Sequence, residues 1–399
     1  MKRTFRLAIS AGALALLVAS PATSGIILYE EGDRKLEVGG RIQLQYLNFE
    51  TDGLMDAGED ADVSFDKLNF RRLRPYIAGT VTKDWYAKIQ FDFGKSEDAD
   101  EIAVKDAYMQ YRGIKNHKLT IGNSKTPFSR EFLTSSKRQQ LIERSFAGDH
   151  NFGSPDRQLG LRMEGHFAEK HFTWMGAVGA QEHDPAINRM DFDTPVNRSA
   201  DWNEGWLVAA RIDWHPLGFV AFDQGNFHTD EWKFNVSLAA YLWDNDDDNN
   251  TYTNADGTAI DPAGDKQDLD SADGIEVSAG VRGYGFSADV EYQLISGDLV
   301  ASDVTGANGL YLDGTTDLDL LAVEGGYMLP NNRIEFVAGW DSIDADGYGD
   351  AWSRTKVGVN WFWNQHKAKL QASYRMSDNY LGQVDVDADA FTMQAQFVF

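Results

Sequence analysis

Period-two alternation of apolar and polar residues recurs through the chain in segments of about ten residues, so the fold must be made of strands with two unlike faces. In WYAKIQFDFG, Trp85, Ala87, Ile89, Phe91 and Phe93 point one way, and Tyr86, Lys88, Gln90 and Asp92 the other. LGLRMEGHF sets Leu159, Leu161, Met163, Gly165 and Phe167 against Arg162, Glu164 and His166. AFTMQAQFVF sets Phe391, Met393, Ala395, Phe397 and Phe399 against Thr392, Gln394 and Gln396. The pattern predicts strands near 36–49, 68–82, 84–93, 103–112, 118–124, 158–167, 171–180 and 204–215. It predicts eight more near 232–242, 274–284, 286–296, 318–328, 333–341, 355–363, 367–376 and 388–399, and no long helix. Most match the roughly 9–11 residues of a tilted membrane strand.

The polar face of such strands belongs either in bulk water, outside a sandwich, or in a water-filled lumen. The connections decide between them. Short ones (82–84, 113–117, 168–171, 284–286, 329–333, 363–367) alternate with long ones (50–66, 125–157, 181–203, 243–273). Short turns at one end and long loops at the other are how outer-membrane barrels are built. Trp85, Trp174, Trp206, Trp214, Trp340, Trp361 and Trp363 stand near strand ends, as interfacial girdles require. The expected fold is therefore an all-β, sixteen-stranded antiparallel transmembrane barrel whose lumen is the wet face.

The N-terminus supports an exported chain. Lys2, Arg3 and Arg6 precede an apolar run from Leu7 to Ala19, and Ala22-Thr23-Ser24 offers small residues before a cut at Gly25. That is the pattern of a secretory signal peptide over 1–24, with the barrel over 25–399. With no cysteine in the chain, stability must come from strand pairing and packing rather than disulfides.

Net charge is −25 and unevenly spread. Segments 50–66, 244–273, 297–319, 341–350 and 378–389 hold 30 of the 62 acids and one base, Lys266. The remainder carries 32 acids against 36 bases. The acidic segments read as surface loops and the strands between them as near neutral.

Residues 125–157 break the rhythm. They follow the fifth strand, are too long for a turn and do not alternate, so they are expected to fold inward as a constriction loop. From Lys118 to Arg162 there are eight bases (Lys118, Lys125, Arg130, Lys137, Arg138, Arg144, Arg157, Arg162) and four acids. Bases lining a constriction favour anions, and arginine's forked donors match phosphate or carboxylate oxygens. Alternatively, these bases pair with wall acids and only pin the loop. Strand phase adds Arg41, Arg72 and Arg74 to the inward face, with Arg211, Arg282, Lys356, Lys369 and Arg375.

GGRIQLQY, FRRLRPYIAGTVTKDWYAKIQFDF, the LTSSK…ER loop, GYMLPNNRIEF, KVGVNWFWNQHKAKLQASY and the closing QFVF together resemble the phosphate-selective porins O and P. The resemblance covers essentially the whole mature length. It implies a Gram-negative outer-membrane homotrimer, outer-membrane lipid around it, and an arginine ladder leading anions such as phosphate to a lysine-containing constriction. By matching motif, the ladder takes in Arg41, the pair Arg71 and Arg72, and Arg144. Phosphate-specific members carry a lysine shortly before the threonine-serine-serine-lysine stretch. This chain has Phe132 there, which predicts weaker phosphate binding, with Lys125 or Arg130 as substitutes. The terminal Phe399 resembles the signal read by the barrel assembly machinery.

No H-E-x-x-H or G-x-S-x-G occurs among the scattered histidines and serines, which leaves a barrel enzyme without a motif. Asp244, Asp246 and Asp248, or Asp344 and Asp346, imitate only part of a calcium loop. The expectation is a passive anion-preferring channel with no cofactor, resident metal or nucleic-acid partner. A general or cation-preferring porin, and more remotely an adhesin or barrel enzyme, are the alternatives.

Overall fold

The computed structural model describes residues 25–56, 59–94, 102–186, 188–193, 204–245, 252–253, 259–260, 269–300 and 309–399. The signal segment 1–24 lies outside them, as do Asp246 and Asp248. Sixteen strands form the wall: β1 (Arg34–Asp52), β2 (Ser64–Thr82), β3 (Trp85–Asp92), β4 (Ala103–Tyr111), β5 (His117–Lys125), β6 (Arg157–Phe167), β7 (Phe172–Ala186) and β8 (Glu204–Trp214). The other half is β9 (Lys233–Asn245), β10 (Leu269–Gly283), β11 (Phe286–Leu299), β12 (Thr315–Met328), β13 (Ile334–Ala345), β14 (Trp352–Asn364), β15 (Ala368–Asp378) and β16 (Asp387–Val398). Each pairs antiparallel with its sequence neighbours, and β1 pairs with β16 from Arg41↔Val398 to Asp52↔Asp387. The barrel is closed, so no wall strand is left with an unpaired edge in lipid. A short strand, Ile26–Glu31, pairs with the start of β1 beyond the point where β16 ends.

Strand phase assigns the faces as expected. Trp85, Ile89 and Phe93 are exposed outward, while Tyr86, Lys88 and Gln90 line an internal cavity. Leu159 and Leu161 face out; Gln394 and Gln396 are buried inside. Aromatic side chains ring the short-turn end, among them Trp85, Trp214, Trp232, Trp361, Trp363 and Phe399.

All sixteen expected strands are present, but several run further toward the long loops than alternation suggested. The reason is an inversion of polarity along single strands. On β11, Phe286, Val290, Tyr292 and Leu294 face out while Ser287, Glu291 and Gln293 face in. Beyond Leu294 the outward residues become Ser296 and Asp298, and the inward ones Ile295 and Leu299. The apolar outer band from Phe286 to Leu294 spans about 20 Å at porin-like tilt, close to the height of such a barrel's apolar band, after which the outer face stands in water. Tyrosines mark this border: Tyr46 donates to Asp66 (2.8 Å), Tyr292 to Asp319 (2.8 Å) and Tyr374 to Asp389 (2.7 Å), each across neighbouring strands. Parts of the acidic segments read as loops are therefore strand ends.

The inverted inward residues have a purpose. Phe128, Phe146, Tyr241, Trp243, Leu318 and Trp352 belong to one buried apolar cluster at the long-loop end, inside the wall. Phe146 meets Phe152 and Trp352 edge-on, with centroids 5.2 and 4.6 Å apart. Met190 and Phe192, on a strand (Arg189–Asp193) that folds back against the end of β7, join the cluster. Fully burying a Phe side chain contributes roughly 1.5–3 kcal/mol, so the cluster fixes the inserted loop firmly.

Loop length departs from the expected order at one place. Residues 215–232 connect β8 to β9 at the short-turn end, yet they are long and fold up into the lumen. His215, Val220, Gln224 and Asn226 are buried there.

Candidate functional site

The loop after β5 is held against one side of the lumen. A short helix, Arg130–Leu133, is capped by Ser129, whose Oγ accepts the Phe132 amide at 2.9 Å. Arg130 Nε donates to Asp289 (2.9 Å) on β11, and the Glu131 amide to Glu291 (2.8 Å). Gln140 Nε2 reaches Glu335 and Ser287, both at 2.7 Å, and the Phe146 amide reaches Asp341 at 3.1 Å. Lys369 closes the row by donating to the Gln139 carbonyl at 2.7 Å. Burial, with the Glu291 carboxylate nearby, raises the Glu131 carboxyl to about 7 against the opposing pull of Lys356, Ser145 and Arg144. The wall from β8 to β15 thus spends its acids on the loop, the inserted segment and their neighbouring bases.

Residues 215–232 brace the loop from the opposite mouth. The Gln224 amide donates to the Arg138 carbonyl (3.1 Å), and its side chain accepts the Gln140 amide (2.8 Å) while donating to Glu324 (3.0 Å). Phe222 lies under the guanidinium groups of Arg130 and Arg211, 5.7 and 5.5 Å from its ring centroid.

The space left lies off-centre, toward β1–β7. An outer cavity of about 920 Å³ opens beside Arg41, Arg72, Arg74, Lys88, Lys137 and Arg138. Its lining holds fourteen lysines and arginines against seven carboxylates. An inner cavity of about 660 Å³ lies toward the short-turn end. The two share Asp106, Tyr108, Lys125 and Leu133, which places the junction beside the start of the loop.

A β-bulge explains how two consecutive arginines serve one cavity. Gln43 pairs with Arg72 but Leu44 with Phe70, so Arg71 is the extra residue. Strict alternation would have turned Arg71 outward; instead it holds Glu143 with a forked pair, 2.9 and 3.2 Å. Burial alone would raise the Glu143 carboxyl, but Arg71 and Arg72 hold it down at about 2. Arg72 itself donates, among the described residues, only to Gln43 (3.3 Å). Arg41 donates to Ser135 Oγ (3.2 Å), leaving its Nε unpartnered. Arg74 is paired with Asp92 at 2.5 Å.

Lys125 and Arg144 converge on the end of the short helix. Lys125 Nζ donates to the carbonyls of Phe132, Leu133 (3.2 Å) and Thr134 (3.4 Å), and Arg144 to Phe132 (3.4 Å) and Thr134 (3.2 Å). They satisfy carbonyls that a helix terminus leaves open. The same cations flank the Phe132 ring, 4.6 and 5.0 Å from its centroid. Lys137 and Arg138 line the outer cavity with no carboxylate partner among the described residues.

Two of the residues expected in the eyelet sit elsewhere. Arg130 is turned away into its Asp289 pair and does not line either large cavity, so it is not the substitute for a lysine at 132. Arg162 lines the inner cavity, paired with Glu164 at 3.0 Å. Of the further inward bases, Arg211, Arg282, Lys356 and Lys369 are buried on the sealed wall, while Arg375 lines the outer cavity. Sequence reasoning missed the network of Lys88 and Arg157 around Asp106 (2.6 and 2.9 Å). Strand phase had already turned Lys88 inward. Nothing in the sequence singled out residues 215–232.

A closed sixteen-stranded barrel with an apolar outer band, aromatic ends, an inserted loop and a polar internal path is an outer-membrane porin. The chain belongs to the phosphate-selective porin O and P family, whose model matches residues 36–270. It is 25% identical to Porin O of Pseudomonas aeruginosa over the full length of both chains. An uncharacterised protein of Aquifex aeolicus is 29% identical over 136 residues, about a third of each chain. Among solved structures the fold is similar to the trimer form of OmpT from Vibrio cholerae (TM-score 0.57, 13% identity, 92% of this chain and 100% of that one). It is also similar to an anion-selective porin from Comamonas acidovorans (TM-score 0.54, 9% identity, 92% of this chain and 100% of that one). The protein is a channel of the Gram-negative outer membrane.

Proposed function

We propose that this porin is a passive channel preferring anions, which binds phosphate and similar oxyanions weakly to moderately on its way through. The observation that carries the reading is the twofold excess of bases over acids lining the outer cavity. Arg41, Arg72, Lys137 and Arg138 act as the binding residues, because none makes an ion pair with a carboxylate among the described residues. Arg74, Lys125 and Arg144 add field while holding wall and loop in place, and Arg71 positions Glu143. Residues 125–157 serve as the constriction loop. The acidic outer segments repel anions at the mouth, but exposed charge is screened within about 8 Å at physiological salt. Bases in a narrow low-dielectric path keep their influence.

The family description and the anion-selective Comamonas porin agree with this reading. Phe132, in its place between two cations, favours weak over tight phosphate binding. The functional unit is a homotrimer, as in the trimer form of OmpT. Residues 1–24 act as the export signal, outer-membrane lipid covers the apolar band, and Phe399 is the handle for barrel assembly. The test is phosphate block of chloride current through the purified protein in planar bilayers. Block in the millimolar range, weakened several-fold by Arg72→Ala or Arg138→Ala, is expected. Anionic selectivity with no phosphate block would make it a general anion porin.

A further inference from the structure

The inner cavity has a different chemistry from the outer one. Its wall sets rings and apolar side chains among charged ones: Tyr108 from β4, Leu133 from the loop, Met175 from β7, and Phe219 and Phe222 from the inserted segment. Bases stand among these rings. Lys170 Nζ lies 5.2 Å from the centroid of Phe219, and Arg112 lines the same cavity, donating to Gln110 at 2.7 Å and stacking 3.9 Å over Tyr86 on the outer-cavity side. Neither has a carboxylate partner among the described residues. Lys118 and Arg162 share Glu164, at 2.8 and 3.0 Å, and Arg162 Nε and His166 Nδ1 are buried without a hydrogen-bond partner.

A bare inorganic oxyanion is strongly hydrated and has no use for apolar walls. A cavity of about 660 Å³ falls within the roughly 300–1,000 Å³ of small-molecule sites lined by rings and a few placed charges. Flat rings with cations at their faces accept another flat ring by stacking, while the cations hold its oxyanion. We propose that the inner cavity is a binding site for organic anions that join one aromatic ring to one carboxylate, phosphate or phosphonate group. The outer cavity delivers the anion, and the inner one retains it by its ring before release at the short-turn end. This rests on the anion-porin reading and adds the substrate class to it.

Phenylphosphonate and methylphosphonate carry the same headgroup and differ in the ring, so they separate the two cavities. Each is titrated against chloride current through the purified protein in planar bilayers, with reversal potentials recorded on the same membranes. Phenylphosphonate is expected to half-block at a concentration at least tenfold lower than methylphosphonate. Phe219→Ser, at a half-exposed ring whose loss leaves the wall intact, should abolish that advantage and leave methylphosphonate block unchanged. Equal block by the two anions in a channel that remains anion-selective overturns the ring site alone. An advantage that survives Phe219→Ser overturns it too, since the ring is then held elsewhere. Cation-selective reversal potentials overturn the anion-porin reading and this site with it.

Discussion

The amide of Gln224 donates to the carbonyl of Arg138 at 3.1 Å, joining a segment inserted from the short-turn mouth to a loop inserted from the long-loop mouth. The bond lies on the sealed side of the lumen, where the wall acids are occupied. It leaves the path on the side where bases outnumber acids. In the proposed channel, selectivity follows from which wall the two insertions cover.

Gln224→Ala is expected to loosen that brace. The substitution leaves the buried Gln140 amide and Glu324 carboxylate each short of a partner, at a cost of about 1–3 kcal/mol. The folded band on unheated gels should be lost at lower temperature, and open-channel current should become noisier. Unchanged melting and noise would show that the two insertions are anchored independently.

Phe146→Ala tests the apolar seal at the other end. Phe146 is fully buried, in contact with Phe152 and Trp352 and beneath the Arg354 guanidinium, 3.5 Å from its centroid. Its truncation should cost about 3–5 kcal/mol. Single-channel conductance should rise, because the loop no longer fills that side of the mouth. A destabilised barrel with unchanged conductance would separate packing from pore shape.

The proposed role of Lys137 predicts a pH-dependent selectivity. Burial, then the neighbouring Arg41 and Arg138, lower its ammonium to about 8. It is charged below that pH and neutral above it, so anion preference should fall as pH rises from 7 to 9.5. The linkage has the same origin: the unfolded lysine keeps its proton up to about 10.4. Stability contributed by Lys137 therefore increases between about 8 and 10. Lys137→Arg should hold the preference constant over this range, and a wild-type profile equally flat would contradict the role given to Lys137.

Most of the wall was legible in the sequence because lipid and water impose opposite demands on alternate residues. Lys88 and Gln396 could be turned inward from strand phase alone. Alternation stopped being informative above Leu294, where the outer face leaves lipid and the inner face meets the apolar cluster. The Arg71 bulge was invisible for a related reason: one extra residue reverses the phase, and only the pairing with β1 reveals it. The inserted loop was recognisable by its length, but Arg130's pairing with Asp289 depends on residues 159 positions apart. Residues 215–232 were missed because the bonds that hold them in the lumen, from Gln224 to Arg138, Gln140 and Glu324, go to partners distant in sequence.

In the proposed channel, bases along the off-centre path rather than the acidic outer segments choose the ion. The decisive measurement is the reversal potential across a potassium chloride gradient, taken at low and high salt. Anion preference that persists or strengthens at high salt, where exposed carboxylates are screened, is the predicted result. Cation preference that persists at high salt would contradict it.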